Sequence, residues 1–215
     1  MGAHHVFTGH AHGDLAVGGD PRLLTERRAA VGAPSVPWVW LEQVHGADVV
    51  VAASPGDGAG SRADAVVTAE PGVVVAVHTA DCAPVLIEGN HGLAVVHAGW
   101  KGLLAGVVGA TVATMVGLGI TPQRAVLGPV IRPRCYEFGP EQLDPLVERF
   151  GPPAAATTAW GTPAFDLPAA VAVALGEHGL AMEDTGTCTA CSPHHWSHRA
   201  RGDMGRQALV AWWST

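Results

Sequence analysis

Between residues 63 and 97 the chain passes through four short apolar, β-branched runs, at 63–68, 73–78, 84–88 and 93–97, separated by polar or glycine-bearing turns such as Gly89-Asn90. Runs of this length between turn signals read as buried strands. Residues 36–41 and 48–53 read as earlier strands, 55–62 as a glycine-rich loop, and 124–131 and 207–213 as later strands. Helical length appears at 103–118, where Gly119 closes the run and Pro122 blocks its continuation. Residues 140–150 place Leu143, Leu146, Val147 and Phe150 on one face, and 166–179 open with Asp166 as an N-cap and Pro168 in the first turn. Asp20-Pro21 predicts a further helix to about residue 31. Residues 1–19 are rich in His and Gly without a period, which predicts a flexible N-terminal segment.

Strands and helices come in blocks rather than in strict alternation, which favours an α+β fold over a doubly wound α/β sheet. The 215 residues, 48% of them hydrophobic, suffice for one domain over residues 1–215 with a sizeable core. No apolar run reaches the ~20 residues of a membrane span. The longest, at 103–120, carries four glycines and two threonines and reads as a buried helix. No basic segment followed by an apolar one opens the chain, so a cytoplasmic location is expected.

The net charge of −7, with no basic stripe, argues against nucleic acid as the main partner. Four cysteines without a dense framework fit a reducing compartment, and twelve histidines make metal chemistry worth testing.

Three segments concentrate the candidate chemistry: Gln43-Val44-His45-Gly46, Thr79-Ala80-Asp81-Cys82 and His97-Ala98-Gly99-Trp100-Lys101-Gly102. Each sets a ligand for a borderline-soft cation, His45, Cys82 or His97, at the end of an expected strand. Three protein ligands leave one position open, the arrangement of a catalytic rather than a structural zinc site. The spacings are long, and the blander reading stays open: Cys82 as a small buried hydrophobe and both histidines held by core hydrogen bonds. Lys101, four residues after His97, is a candidate to hold an anionic group such as phosphate. Cys188-Thr189-Ala190-Cys191, followed by His194, His195 and His198, suggests a zinc knuckle, but the spacing is too tight for a finger helix. The favoured reading is a loop that brings His198 and Arg199 to the same cleft. Tyr136, the only tyrosine, is a candidate substrate contact, and His4, His5, His10 and His12 read as solvated.

These segments, together with Ala63-Asp64-Ala65, Gly128-Pro129, Cys135-Tyr136-Glu137, Phe165-Asp166-Leu167, Cys188-Thr189, Ser197-His198-Arg199 and Gly205-Arg206, closely resemble the laccase-domain family, also called multicopper polyphenol oxidase or YfiH-like proteins. The resemblance implies a four-layer αββα sandwich and zinc on His45, Cys82 and His97. It also implies purine nucleoside chemistry without membrane involvement: phosphorolysis of adenosine, inosine, guanosine or methylthioadenosine, with adenosine deamination in some members. On that reading the chain is a monomer or small homo-oligomer whose partners are the nucleoside and phosphate. Asp81, Lys101 and His198 are the catalytic candidates, and Gln43, Lys101, Tyr136 and Arg199 the substrate-binding ones. Two departures stand out. The N-terminal stretch Val6-Phe7-Thr8-Gly9-His10-Ala11-His12-Gly13 lacks the arginine the family usually has there, and Gly128-Pro129-Val130-Ile131 is followed by Arg132 rather than glycine.

A multicopper oxidase needs paired histidines for several centres. This chain has one His-x-His, His10 and His12, so copper is expected to be adventitious and polyphenol oxidation secondary. Two rivals remain: a cysteine hydrolase with Cys82 as nucleophile and His97 or His45 as base, and a non-catalytic envelope or division module.

Overall fold

A computed structural model describes residues 2–214. In chain order the elements are β1 (Gly2–Phe7), α1 (Pro21–Ala30), β2 (Leu41–Glu42), β3 (Val49–Val51), β4 (Ser61–Arg62), β5 (Ala65–Thr68), β6 (Val74–Thr79), β7 (Ala83–Gly89) and β8 (Leu93–Ala98). There follow α2 (Trp100–Ala105), α3 (Val107–Gly117), β9 (Pro122–Leu127), α4 (Pro140–Phe150), β10 (Ala155–Thr157), β11 (Pro163–Phe165), α5 (Leu167–Gly176), β12 (Met182–Asp184), α6 (His198–Arg201) and β13 (Gln207–Ser214).

Strand alternation explains the layering. In β5, β7 and β8, Ala65, Val67, Val85, Ile87 and Val96 face α2–α5, while Val66, Leu86 and Val95 face the opposite way. These strands belong to a six-stranded mixed sheet of order β12-β9-β7-β8-β5-β3. Its second face packs on a three-stranded antiparallel sheet, β1-β13-β6, through Val75, Val77, Leu209, Ala211 and Trp213. The far side of that small sheet presents Val74, Ala76, Ala208 and Val210 to Leu15, Trp38 and Leu24 of α1. The order helices, sheet, sheet, helix is the αββα sandwich. Both central sheets are covered on both faces, which is why their strands read as continuous apolar runs rather than as alternating ones.

The predicted caps hold: Asp20 accepts from Arg22 N and Asp166 from Ala169 N. Four readings are corrected. Residues 2–7 are not a loose segment: β1 pairs along its length with β13, so their backbone groups are taken up by a ladder. The helix expected at 103–118 starts at Trp100 and breaks at Gly106, whose φ of +87° is left-handed and splits it into α2 and α3. The strand expected at 36–41 reduces to one bridge, Val39 to Val75, and the short β2. The strand expected at 124–131 runs from Pro122 to Leu127, since Pro129 has no N–H with which to extend the ladder. Among the described residues no helix is long and apolar enough to cross a membrane.

Candidate metal centre

Three strand ends meet at one point. His45 lies in the turn after β2, Cys82 precedes β7, and His97 is near the end of β8. The β7–β8 register sets Pro84 opposite His97, which brings Cys82 beside that histidine. One ligand atom from each of His45, Cys82 and His97 lies within 4.8 Å of the others. Cys82 Sγ is 3.7 Å from His45 Nε2, and the two imidazoles meet edge to face with ring centroids 4.8 Å apart.

Asp64 organises this set. Its buried carboxylate accepts from His97 Nδ1 at 2.7 Å and from the backbone N–H groups of Val44, His45 and Gly46 at 3.2, 3.0 and 2.7 Å. The bond to Nδ1 leaves His97 Nε2 for a ligand, the usual way a carboxylate orients a metal-binding imidazole. The amide bonds shape the 43–46 turn, in which His45 adopts a left-handed φ of +59°. Gln43 ties the turn to β6 with two 2.7 Å bonds to the backbone of His78. Gly99 has a spatial reason: a Cβ there would lie 2.8 Å from His45 Cδ2 and 3.1 Å from Cys82 Sγ.

Electrostatics match the geometry. Burial raises the Cys82 thiol, but His97 and His45 outweigh it and bring it down to about 6. Burial lowers His97, but the Cys82 thiolate and Asp64 carry it up to about 9. Asp64 stays below its usual range because the bonds from His97, Gly46 and His45 outweigh its burial. In the chain alone Cys82 and His97 therefore form a thiolate–imidazolium pair, and a metal that binds would take the place of the His97 Nε2 proton. Two nitrogens and one soft sulfur, with a carboxylate behind one ring, fit zinc.

A cavity of about 540 Å³ opens over the cluster, lined among others by Gln43, His78, His198, Met204 and Arg206. His198 therefore reaches the expected cleft. Asp81 sits behind it: buried, with a φ of +107°, it accepts from Thr189 Oγ1 at 2.6 Å and Arg199 N at 2.7 Å, tying the Cys82 loop to α6. Besides Asp81, three predicted residues lie outside this cavity's wall. Lys101 is exposed, with Nζ 5.3 Å from the Trp100 ring centroid. Tyr136 is buried against Phe138, and Arg199 lies 5.0 Å above its ring, facing a different cavity. Asp64 and Arg206 carry no assigned role in the sequence reading. A lone acid inside an apolar strand run was the available signal for Asp64. His10 packs edge-on against Trp196 and His12 accepts from Gly9 N, so the His-x-His pair is engaged locally.

Comparison with known proteins shows which family the chain belongs to. The family model described as multi-copper polyphenol oxidoreductase laccase matches residues 12–214. A purine nucleoside phosphorylase of Streptomyces coelicolor is 44% identical over 209 residues, covering 92% of this chain and 85% of the relative. One of Mycobacterium tuberculosis is 38% identical, covering 91% and 82%. The crystal structure of YlmD from Geobacillus stearothermophilus superposes with a TM-score of 0.86 at 27% identity, covering 100% of this chain and 93% of that one. The chain belongs to the multi-copper polyphenol oxidoreductase laccase family, whose YfiH- and YlmD-like members share its fold.

Proposed function

We propose that this chain is a zinc-dependent purine nucleoside phosphorylase acting on adenosine, inosine, guanosine or methylthioadenosine, with adenosine deamination as a further reaction of the same site. The observation that carries the reading is the His45, Cys82 and His97 cluster, backed by Asp64 and opening onto a cavity wide enough for a nucleoside. The relatives named purine nucleoside phosphorylase support it.

Zinc on these three residues would supply Lewis-acid polarisation of an oxygen at its open position. The remaining roles belong to the protein. Asp64 orients His97 through Nδ1 and shapes the turn that carries His45. Asp81 holds the Cys82 loop against α6. Arg206 is the arginine of the cavity wall and takes the phosphate contact, since neither Lys101 nor Arg199 lines that wall. In this reading His198, on the cavity wall, passes a proton to the departing purine while a phosphate oxygen bonds to ribose C1′ and the glycosidic C–N bond breaks.

A specific observation also favours a second reading. Cys82, His97 and Asp64 follow the order of a thiol nucleophile, its base and the acid that orients the base, with the thiol already lowered to about 6. Elemental analysis of the purified protein, paired with a phosphate-dependent inosine and adenosine assay, separates the two. Zinc at the His45 site, lost together with phosphorolysis in Cys82→Ala, supports the phosphorylase. A protein whose Cys82 stays alkylatable after zinc is supplied supports the hydrolase.

A further inference from the structure

Away from this centre, a second group of soft ligands converges. The sulfur atoms of Cys135, Cys188 and Cys191 all lie within 4.8 Å of one another, and Cys135 Sγ is 3.3 Å from Cys191 Sγ. Cys188 and Cys191 form the C-x-x-C pair of the sequence. Its third partner is Cys135, 53 positions before Cys188, rather than any of the histidines that follow the pair.

The scaffold around the three thiols is rigid. Val130 and the 187–189 strip exchange backbone bonds, Val130 N to Thr187 O and Thr189 N to Val130 O. Arg132 makes a two-pronged ion pair with Asp184, which clamps the segment before Cys135 to the segment before Cys188. Cys135 N donates to Arg132 O, and Ser192 N closes the turn on Cys188 O. Arg201 Nη1 donates to Ala190 O, holding the C-x-x-C turn from its other side. Cys135, with Glu137, Gln142, Trp160 and Arg199, also lines a cavity of about 600 Å³, which gives a cation access from solvent.

We propose that Cys135, Cys188 and Cys191 form a second metal site, taking one soft, thiophilic cation of the zinc or cuprous class on three sulfurs. A disulfide would use two of the thiols and leave the third over, whereas a cation uses all three. Three thiolates select soft cations over magnesium or calcium, and a two-residue spacer suits the grip of two of them on one ion. Each thiol that ligates releases its proton to solvent, and no electron changes hands. Arg132 and Arg201, anchored to the same segments, and Arg199 on the cavity wall supply positive charge around the anionic sulfur set.

The test titrates fully reduced full-length protein with zinc against a chromophoric chelator, then repeats the titration with cuprous ion to tell which of the two is held more tightly. Wild-type, Cys82→Ser, Cys191→Ser and Cys135→Ser proteins are compared. Cys191 is exposed, so Cys191→Ser leaves the core untouched even if Cys135→Ser folds poorly. The proposal expects one equivalent bound more tightly than about 1 μM in Cys82→Ser and its loss in the Cys82→Ser, Cys191→Ser double variant, while phosphorolysis in Cys191→Ser alone stays within about twofold of wild type. Cadmium in place of zinc should show thiolate charge-transfer absorption in Cys82→Ser that disappears in the Cys82→Ser, Cys191→Ser double variant. No equivalent in reduced Cys82→Ser, binding of both ions weaker than about 1 μM, or an equivalent that survives in the Cys82→Ser, Cys191→Ser double variant overturns it.

Discussion

Asp64 Oδ1 lies 2.7 Å from His97 Nδ1, and the same carboxylate receives the backbone N–H of His45 at 3.0 Å. One buried acid thus orients two of the three ligands, one through its ring and the other through its turn. Asp64→Asn keeps the shape but loses the charge that makes His97 a strong ligand. Zinc affinity is expected to fall roughly 10–100-fold, with nucleoside turnover falling alongside it. Competition with a chelator measures the first and a phosphorolysis assay the second. Affinity within twofold of wild type would contradict this role for Asp64.

Gly99 separates the metal centre from the fold. Its φ of −79° is open to any residue, so Gly99→Ala brings no backbone strain, only a methyl pressed against the His45 ring and the Cys82 sulfur. The variant should keep a wild-type circular dichroism spectrum and lose most of its zinc. Full zinc retention would mean that the ligand side chains move aside at little cost.

Acid should weaken the protein through His78. Burial, then the charges of Arg28 and His97, lower this imidazole to about 4, against 6.5 when unfolded. Between those values the unfolded chain holds a proton that the native chain refuses. Stability therefore falls as pH drops from about 6.5 toward 4, by up to ~3 kcal/mol at the lower end. The comparison is urea unfolding of wild type and His78→Gln at several pH values, since metal release affects both alike. The variant should show the shallower pH slope, and equal slopes would exclude His78 as the cause.

Gly128 tests the join between the N-terminal strand and the rest of the molecule. A Cβ there would sit 2.2 to 2.9 Å from three atoms of the Phe7 ring. Overpacking of this kind costs about 1–3 kcal/mol, so Gly128→Ala should lower Tm by several degrees. Phe7→Leu in the same chain should recover part of the loss. An unchanged Tm would show that β1 yields freely.

Local pattern carried much of this protein in its sequence. Caps at Asp20 and Asp166, the helix face of α4 and the apolar runs of β5 to β8 all stand where the residues point, because each depends on neighbours a few positions away. The motifs around His45, Cys82 and His97 likewise carried the family resemblance. The tertiary structure decided which residues meet. Asp64 reaches His97 because β5 and β8 pair with Ala65 opposite Val96, and no local pattern encodes that register. Helical phase separated neighbours in the chain: successive residues turn by about 100°, so Trp100 packs inward while Lys101 faces solvent, and His198 faces the metal cavity while Arg199 faces the thiol-lined one. Cys135 joined Cys188 and Cys191 through the Arg132–Asp184 clamp, a contact between segments 52 positions apart. Residue type and spacing are local properties of a chain, but a binding site is a set of distances, and distances between remote segments exist only once the sheets have paired.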